Sequence, residues 1–142
     1  MEPGRLLHAR LWSTQNNPYA LDIYVNWIWQ SAGRSPAGDA TLVHSVRAMF
    51  GEYRLNKLLL LSLMDFAETF GANTVSINTR LSEVDEAKGE ADDMYLGQDI
   101  TTASERMEAV IARIQDLIRK ASELKDRALF WVYALEWLTT TA

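Results

Sequence analysis

Apolar residues recur at steps of three and four along most of this chain, and the C-terminal stretch keeps the pattern most strictly. Ala103, Met107, Val110, Ile114, Leu117, Ala121, Leu124, Ala128, Trp131, Leu135 and Leu138 alternate steps of four and three with no polar interruption, a coiled-coil seam five heptads long. One helix over 99–138 would be roughly 60 Å long at 1.5 Å per residue, beyond the diameter of a domain of this size. It either projects from the body or is covered along its length by the helices before it.

Those helices are legible in turn. "GRLLHARLWSTQ" (4–15) sets Leu7 and Leu11, with Leu6 and Arg10, along one side of a short amphipathic helix. "NNP" breaks it, and Pro18 at a first helical position with Asn17 as cap restarts a helix in which Ala20, Tyr24, Trp27, Ile28 and Ser31 share a face. The alternation Leu21, Ile23, Val25, Trp27, Trp29 would also suit a strand, but no second strand-like run exists to pair with it. "GRSPAGD" is a loop that ends on Asp39, a capping residue for the next helix.

From Ala40 to Phe70 the spacing predicts a long helix with Leu42, Val46, Met49, Phe50, Tyr53, Leu60, Met64 and Ala67 on its apolar face and Gly51 as a place to bend. Leu58 to Met64 is apolar except for Ser62, which marks this as the most buried helix. Gly71 and Asn73 end it. Residues 74–97 then continue at helical spacing through Val75, Ile77, Leu81, Val84, Ala87, Ala91 and Met94, with Gly97 suited to a left-handed C-cap. Asp99 or Thr102 caps the last helix, the latter with Glu105 as a capping box. The pattern predicts a single all-α domain over 1–142, a helical bundle of four or five helices with a long antiparallel C-terminal helix hairpin.

The final helix changes character at Arg127. Before it, Arg106, Arg113, Asp116, Arg119, Lys120, Glu123, Asp126 and Arg127 form a polar back; after it, Leu129, Phe130, Val132, Tyr133, Ala134 and Trp137 fill those directions and Glu136 is the one remaining charge. Such a segment needs a neighbour on every side. It is the end of a core helix packed by Trp12, Trp27 and Trp29, or an interface with a second copy, or a junction with a membrane, where Trp and Tyr gather at the headgroup layer. Phe130, Trp131, Tyr133 and Trp137 are the candidate interaction residues.

"DRALFWVYALEWLTTTA" is similar to the juxtamembrane end of helical ectodomains in membrane-anchored archaeal proteins of unknown function. The resemblance implies an extracytoplasmic, membrane-anchored protein with a transmembrane helix beyond this chain and no catalysis. The sequence departs from that pattern in holding neither a span nor a positively charged stop-transfer tail. Ala91, Tyr95, Gly97, Asp99 and Ala103 also resemble the turn of a tetratricopeptide-like hairpin, although no repeat of that length accompanies them.

Composition narrows the chemistry. With 142 residues, 48% of them apolar, and a net charge of -5, the chain lacks the clustered basic groups that nucleic acid requires. Residues 58 to 104 hold nine acidic and two basic groups, so the acidity sits in the middle. Without cysteine there is no disulfide, thiolate metal site or thiol nucleophile. His8 and His44 belong to no metal-binding motif, and the scattered glycines form no phosphate loop, so no metal and no cofactor is expected. Glu83, Glu86, Glu90 and Asp93 stack on one helix face beside Asp85 and Asp92, a solvated face expected to pair in part with Arg113, Arg119 and Lys120.

The sequence thus points to a non-catalytic helical ectodomain or protein-interaction module, its partner a protein or a second copy, with a membrane near its C-terminus. The alternatives are a cytoplasmic adaptor that dimerises through its terminal aromatics, and a small-ligand binder in a bundle cavity.

Overall fold

Asp39 and Asp99 each open a long helix. The Asp39 carboxylate accepts the N–H groups of Thr41 and Leu42 at 3.0 Å, and that of Asp99 accepts Thr102 N–H at 3.2 Å, so each occupies donors that a helix start leaves unmet. Asp99 is therefore the cap of the last helix, and Thr102 lies inside it. The computed structural model describes residues 17–35 and 38–140; the helix expected over 4–15 lies outside them. Among the described residues the elements are α1 (Ala20–Ser31), α2 (Ala40–Thr69), α3 (Val75–Leu96) and α4 (Ile100–Thr140), with no strand. Two compact units divide the chain, Met1–Ser45 and Val46–Ala142.

In the first unit the Asn17 side chain accepts the Tyr19 N–H at 3.0 Å, and α1 begins at Ala20, two residues later than Pro18 suggests. Its inner side is Ala20, Asp22 and Trp29, while Tyr24, Trp27 and Ile28 are exposed, which corrects the face expected from spacing. The reason is in part polar. The buried Asp22 carboxylate accepts from His44 Nδ1 at 2.7 Å, and the Tyr19 ring lies 4.5 Å from the His44 ring, so α1 is oriented by this hydrogen bond together with Trp29 and not by Tyr24, Trp27 and Ile28.

The second unit is built from α2 onward from Val46, α3 and α4. Tyr53, Leu60 and Met64 of α2 meet Ile77, Leu81, Val84 and Ala91 of α3 and Met107, Val110, Ile114, Leu117 and Ala121 of α4 in one core. Leu60, Met107 and Ile114 have no exposed surface, and burial of each contributes about 1.5–3 kcal/mol. Within Leu58–Met64, the run that marked α2 as the most buried helix, the face residues Leu60 and Met64 are inside, whereas Leu58, Leu59 and Leu61 face solvent. A run that is apolar on every side can turn only one side inward.

Each of α1, α2 and α3 ends on a residue in the left-handed region, with a 6→1 and a 5→2 bond that satisfy the last carbonyls. Gly33 and Gly71 hold that place after α1 and α2, with φ of 73° and 80°. After α3 it is held by Gln98, φ 68°, because Asp99 N–H reaches Met94 O and Gln98 N–H reaches Tyr95 O; Gly97 is right-handed at φ -73°, contrary to the cap read from the sequence. That turn folds α4 back along α3 as the expected antiparallel hairpin.

Candidate interaction surface at the end of α4

The seam of α4 is buried only as far as its neighbours reach. α3 and the turn after α2 flank α4 up to Trp131, where Phe70, Gly71 and Ala72 border a groove with Leu124, Arg127, Ala128 and Trp131. Ala128 is the last buried residue, at 8% exposure. Beyond it the seam positions Trp131, Leu135 and Leu138 are exposed. The helix is therefore covered through its first two thirds and projects for the rest.

The four residues singled out in the sequence all lie on that projection: Phe130 is 68% exposed, Trp131 65%, Tyr133 66% and Trp137 73%. At 3.6 residues per turn, Phe130, Tyr133 and Trp137 fall on one side of the helix, where the polar back used to run, and Trp131, Leu135 and Leu138 fall on the side of the seam. The Phe130 and Trp131 rings, 6.3 Å apart and near perpendicular, bridge the two sides. Thr139 and Thr140 donate their hydroxyls back to the carbonyls of Leu135 and Glu136, and Thr140 also reaches at 3.3 Å the carbonyl of Trp137, one of the last four that a helix leaves without an N–H partner. Among the described residues the segment is thus not the covered end of a core helix; Trp12, one of the neighbours expected for it, lies outside them.

The polar groups of the second unit join helices together. Tyr53 Oη donates to Asp85 Oδ1 at 2.5 Å, and Lys57 Nζ donates to both Asp85 oxygens at 2.6 and 2.7 Å. Burial raises the Tyr53 phenol well above its ordinary value, and the neighbouring Asp85 carboxylate raises it further. For Asp85, burial acts upward, but the hydrogen bonds from Lys57 and Tyr53 and the charges of Lys57 and Lys88 outweigh it, so its pKa is lowered. Arg47 Nε likewise donates to Tyr95 Oη at 2.5 Å, joining α2 to the end of α3. These long-range pairs, 28 to 48 residues apart in the chain, left no signal in the sequence.

The acidic face of α3 pairs differently from expectation. Glu90 faces Arg106 at 3.5 Å, Asp92 pairs with Lys88 of its own helix, and Asp85 with Lys57. Lys120 and Arg119, expected partners from α4, are held by Asp116 one turn away, which lowers the Asp116 pKa and raises that of Arg119. Intrahelical partners win because no chain has to be spanned. Arg80, Glu83, Arg113 and Asp116 line a groove of about 600 Å³ that is open to solvent and of mixed charge. Among the described residues no three His, Asp or Glu side chains converge as a metal site would need, and no helix is long and apolar enough to cross a membrane.

Comparison with protein-family models, curated proteins and solved structures finds no match to this chain.

Proposed function

We propose that the protein is a non-catalytic helical interaction module that engages a protein partner through the projecting end of α4. The observation that supports this most is the exposure of Phe130, Trp131, Tyr133, Leu135, Trp137 and Leu138, each above 60%, on a segment with a single charge, Glu136. Two exposed aromatics alone match the largest apolar patch of a typical monomer, and here the patch wraps the helix. Aromatic residues concentrated in a small area with few charges are the composition of an interface centre. The bundle below it acts as the base that holds the segment out.

A bilayer surface is the second reading, favoured by Trp131, Tyr133 and Trp137, residue types that settle at the headgroup layer. It would set the body beside a membrane, as the resemblance to archaeal ectodomains implies.

Truncation after Arg127 tests both. Sedimentation velocity and flotation with phosphatidylcholine and phosphatidylglycerol vesicles are compared for the full and truncated chains. The full chain should bind an added partner or vesicles, or assemble beyond a dimer, and the truncated chain should stay folded and lose that behaviour. A truncated chain that unfolds, beside a full chain that grows no larger than a dimer and ignores vesicles, would make the segment an ordinary part of the fold.

A further inference from the structure

α2 carries a second apolar face that the core does not use. On the side opposite Tyr53, Leu60, Met64 and Ala67, the residues Leu55, Leu58, Leu59, Ser62 and Phe66 succeed one another at steps of one to four. Leu55 is 69% exposed and Leu58 61%, with Leu59 and Phe66 also open to solvent. At 3.6 residues per turn these side chains spread over roughly 100° of the helix surface. Between Gly51 and Phe70 no charged residue falls inside that sector.

With Phe70 at its margin, the stripe leaves about 500 Å² of apolar surface in water, near the upper end for one patch on a monomer. Two such stripes packed together would cover about 1,000 Å², the area at which a specific interface begins.

We propose that this stripe is a homodimer interface, with α2 packed antiparallel against α2 of a second copy. The charges along its border select that partner. Arg54 and Asp65 are three helical turns apart and therefore only about 20° apart around the helix, on the same edge of the stripe. Both are exposed, and neither side chain has a charged partner among the described residues. The opposite edge differs, since Glu52 is already engaged by Gln115 Nε2 at 3.2 Å.

In a two-fold antiparallel pair each edge meets the same edge of the other copy, running in reverse. An axis that passes between Leu59 and Leu60 sets Arg54 level with Asp65 of the second copy, and Asp65 level with its Arg54. The leucine centre is then flanked by two reciprocal ion pairs. Exposed pairs of this kind add little affinity but fix register and direction. This chain supplies both halves of the match, which favours a second copy over an unrelated helix.

The test uses the full chain with Phe130, Trp131, Tyr133 and Trp137 all changed to Gln, so that the end of α4 plays no part. Sedimentation equilibrium should show a dimer. Adding Leu58→Asp should raise the dissociation constant by about 30-fold or more. Arg54→Asp or Asp65→Arg alone should weaken the dimer by about 3- to 10-fold, and the two together should restore it. These positions are exposed, and circular dichroism checks that each variant keeps its helix. If Leu58→Asp does not fold, the charge exchange carries the test by itself.

A chain that is monomeric at every concentration overturns the proposal. A dimer indifferent to Leu58→Asp, or a double exchange no tighter than the single ones, overturns it as well.

Discussion

Tyr53 and Asp85 form a hydrogen bond of 2.5 Å between α2 and α3, with the phenol ring in the core and the carboxylate at its edge, where Lys57 reaches it. The bond joins helices that the turn at Gly71 has already brought side by side, so its role is to fix their relative rotation. Tyr53→Phe leaves Asp85 paired with Lys57 and should cost about 1 kcal/mol; Asp85→Asn, which also leaves Lys57 without its counter-charge, should cost somewhat more. Urea unfolding midpoints of the two variants against wild type measure the difference, and an unchanged midpoint for both would mean that water replaces the bond at no loss.

The same carboxylate sets an acid dependence. Because the pKa of Asp85 in the folded chain is lowered from 3.8, the unfolded chain binds its proton more readily. The stability it contributes is therefore complete above that value and is lost as pH falls through and below it. Wild type should lose stability more steeply than Asp85→Asn between about pH 5 and pH 2. Unfolding midpoints across that range that fall in parallel would remove Asp85 from the acid response.

Ile114 and Leu117 are 0% and 2% exposed, whereas Arg113 beside them is on the outer side of α4. Ile114→Ala or Leu117→Ala should destabilise by about 2–4 kcal/mol through the cavity each leaves, and Arg113→Ala by well under 1. Chemical denaturation separates these cases easily; an Ile114→Ala variant with the wild-type midpoint would place the seam outside the core.

Legibility in the sequence depends on how each feature is encoded. The seam from Ala103 to Ala121 and the caps at Asp39 and Asp99 are local, repeating or single-residue signals, and they lie where their spacing put them. The exposed aromatics after Arg127 could be found because the loss of the polar back is itself a sequence pattern. The buried side of α2 was legible too, in the spacing of Val46, Tyr53, Leu60, Met64 and Ala67, but the exposure of Leu58, Leu59 and Leu61 was not, since they are as apolar as Leu60 and only the position of α3 and α4 decides between them. In α1 the orientation depends on Asp22 meeting His44 across a loop, which apolar spacing does not encode.

Gln98 illustrates the same limit at one residue. It occupies the left-handed position after α3 that Gly33 and Gly71 occupy after α1 and α2, one step beyond the glycine that the sequence offers. A side chain there costs about 1–2 kcal/mol, part of which a glycine would return as unfolded-state entropy. Gln98→Gly should therefore stabilise by about 0.5–1 kcal/mol. The thermal midpoint of Gln98→Gly checks this; a lowered midpoint would show that the side chain is worth more than the strain.

The projecting end of α4 makes a kinetic prediction. From Ile100 to Ala128 the helix is held by packing along its seam, but Leu129–Thr140 contributes no buried residue and a helix of that length is marginal in water by itself. In the free protein its amides should open locally and exchange hydrogen orders of magnitude faster than those of Met107–Ala121, whose opening requires the core to separate. Occupation of Phe130, Trp131, Tyr133 and Trp137 by a partner would couple docking to helix formation there, so protection should rise across 129–140 and stay constant in the core. Hydrogen exchange followed by mass spectrometry, at low and high protein concentration and with added vesicles, reads this directly. Slow exchange in 129–140 at the lowest concentration, equal to that of the core and insensitive to vesicles, would mean that the segment is already covered within a single chain.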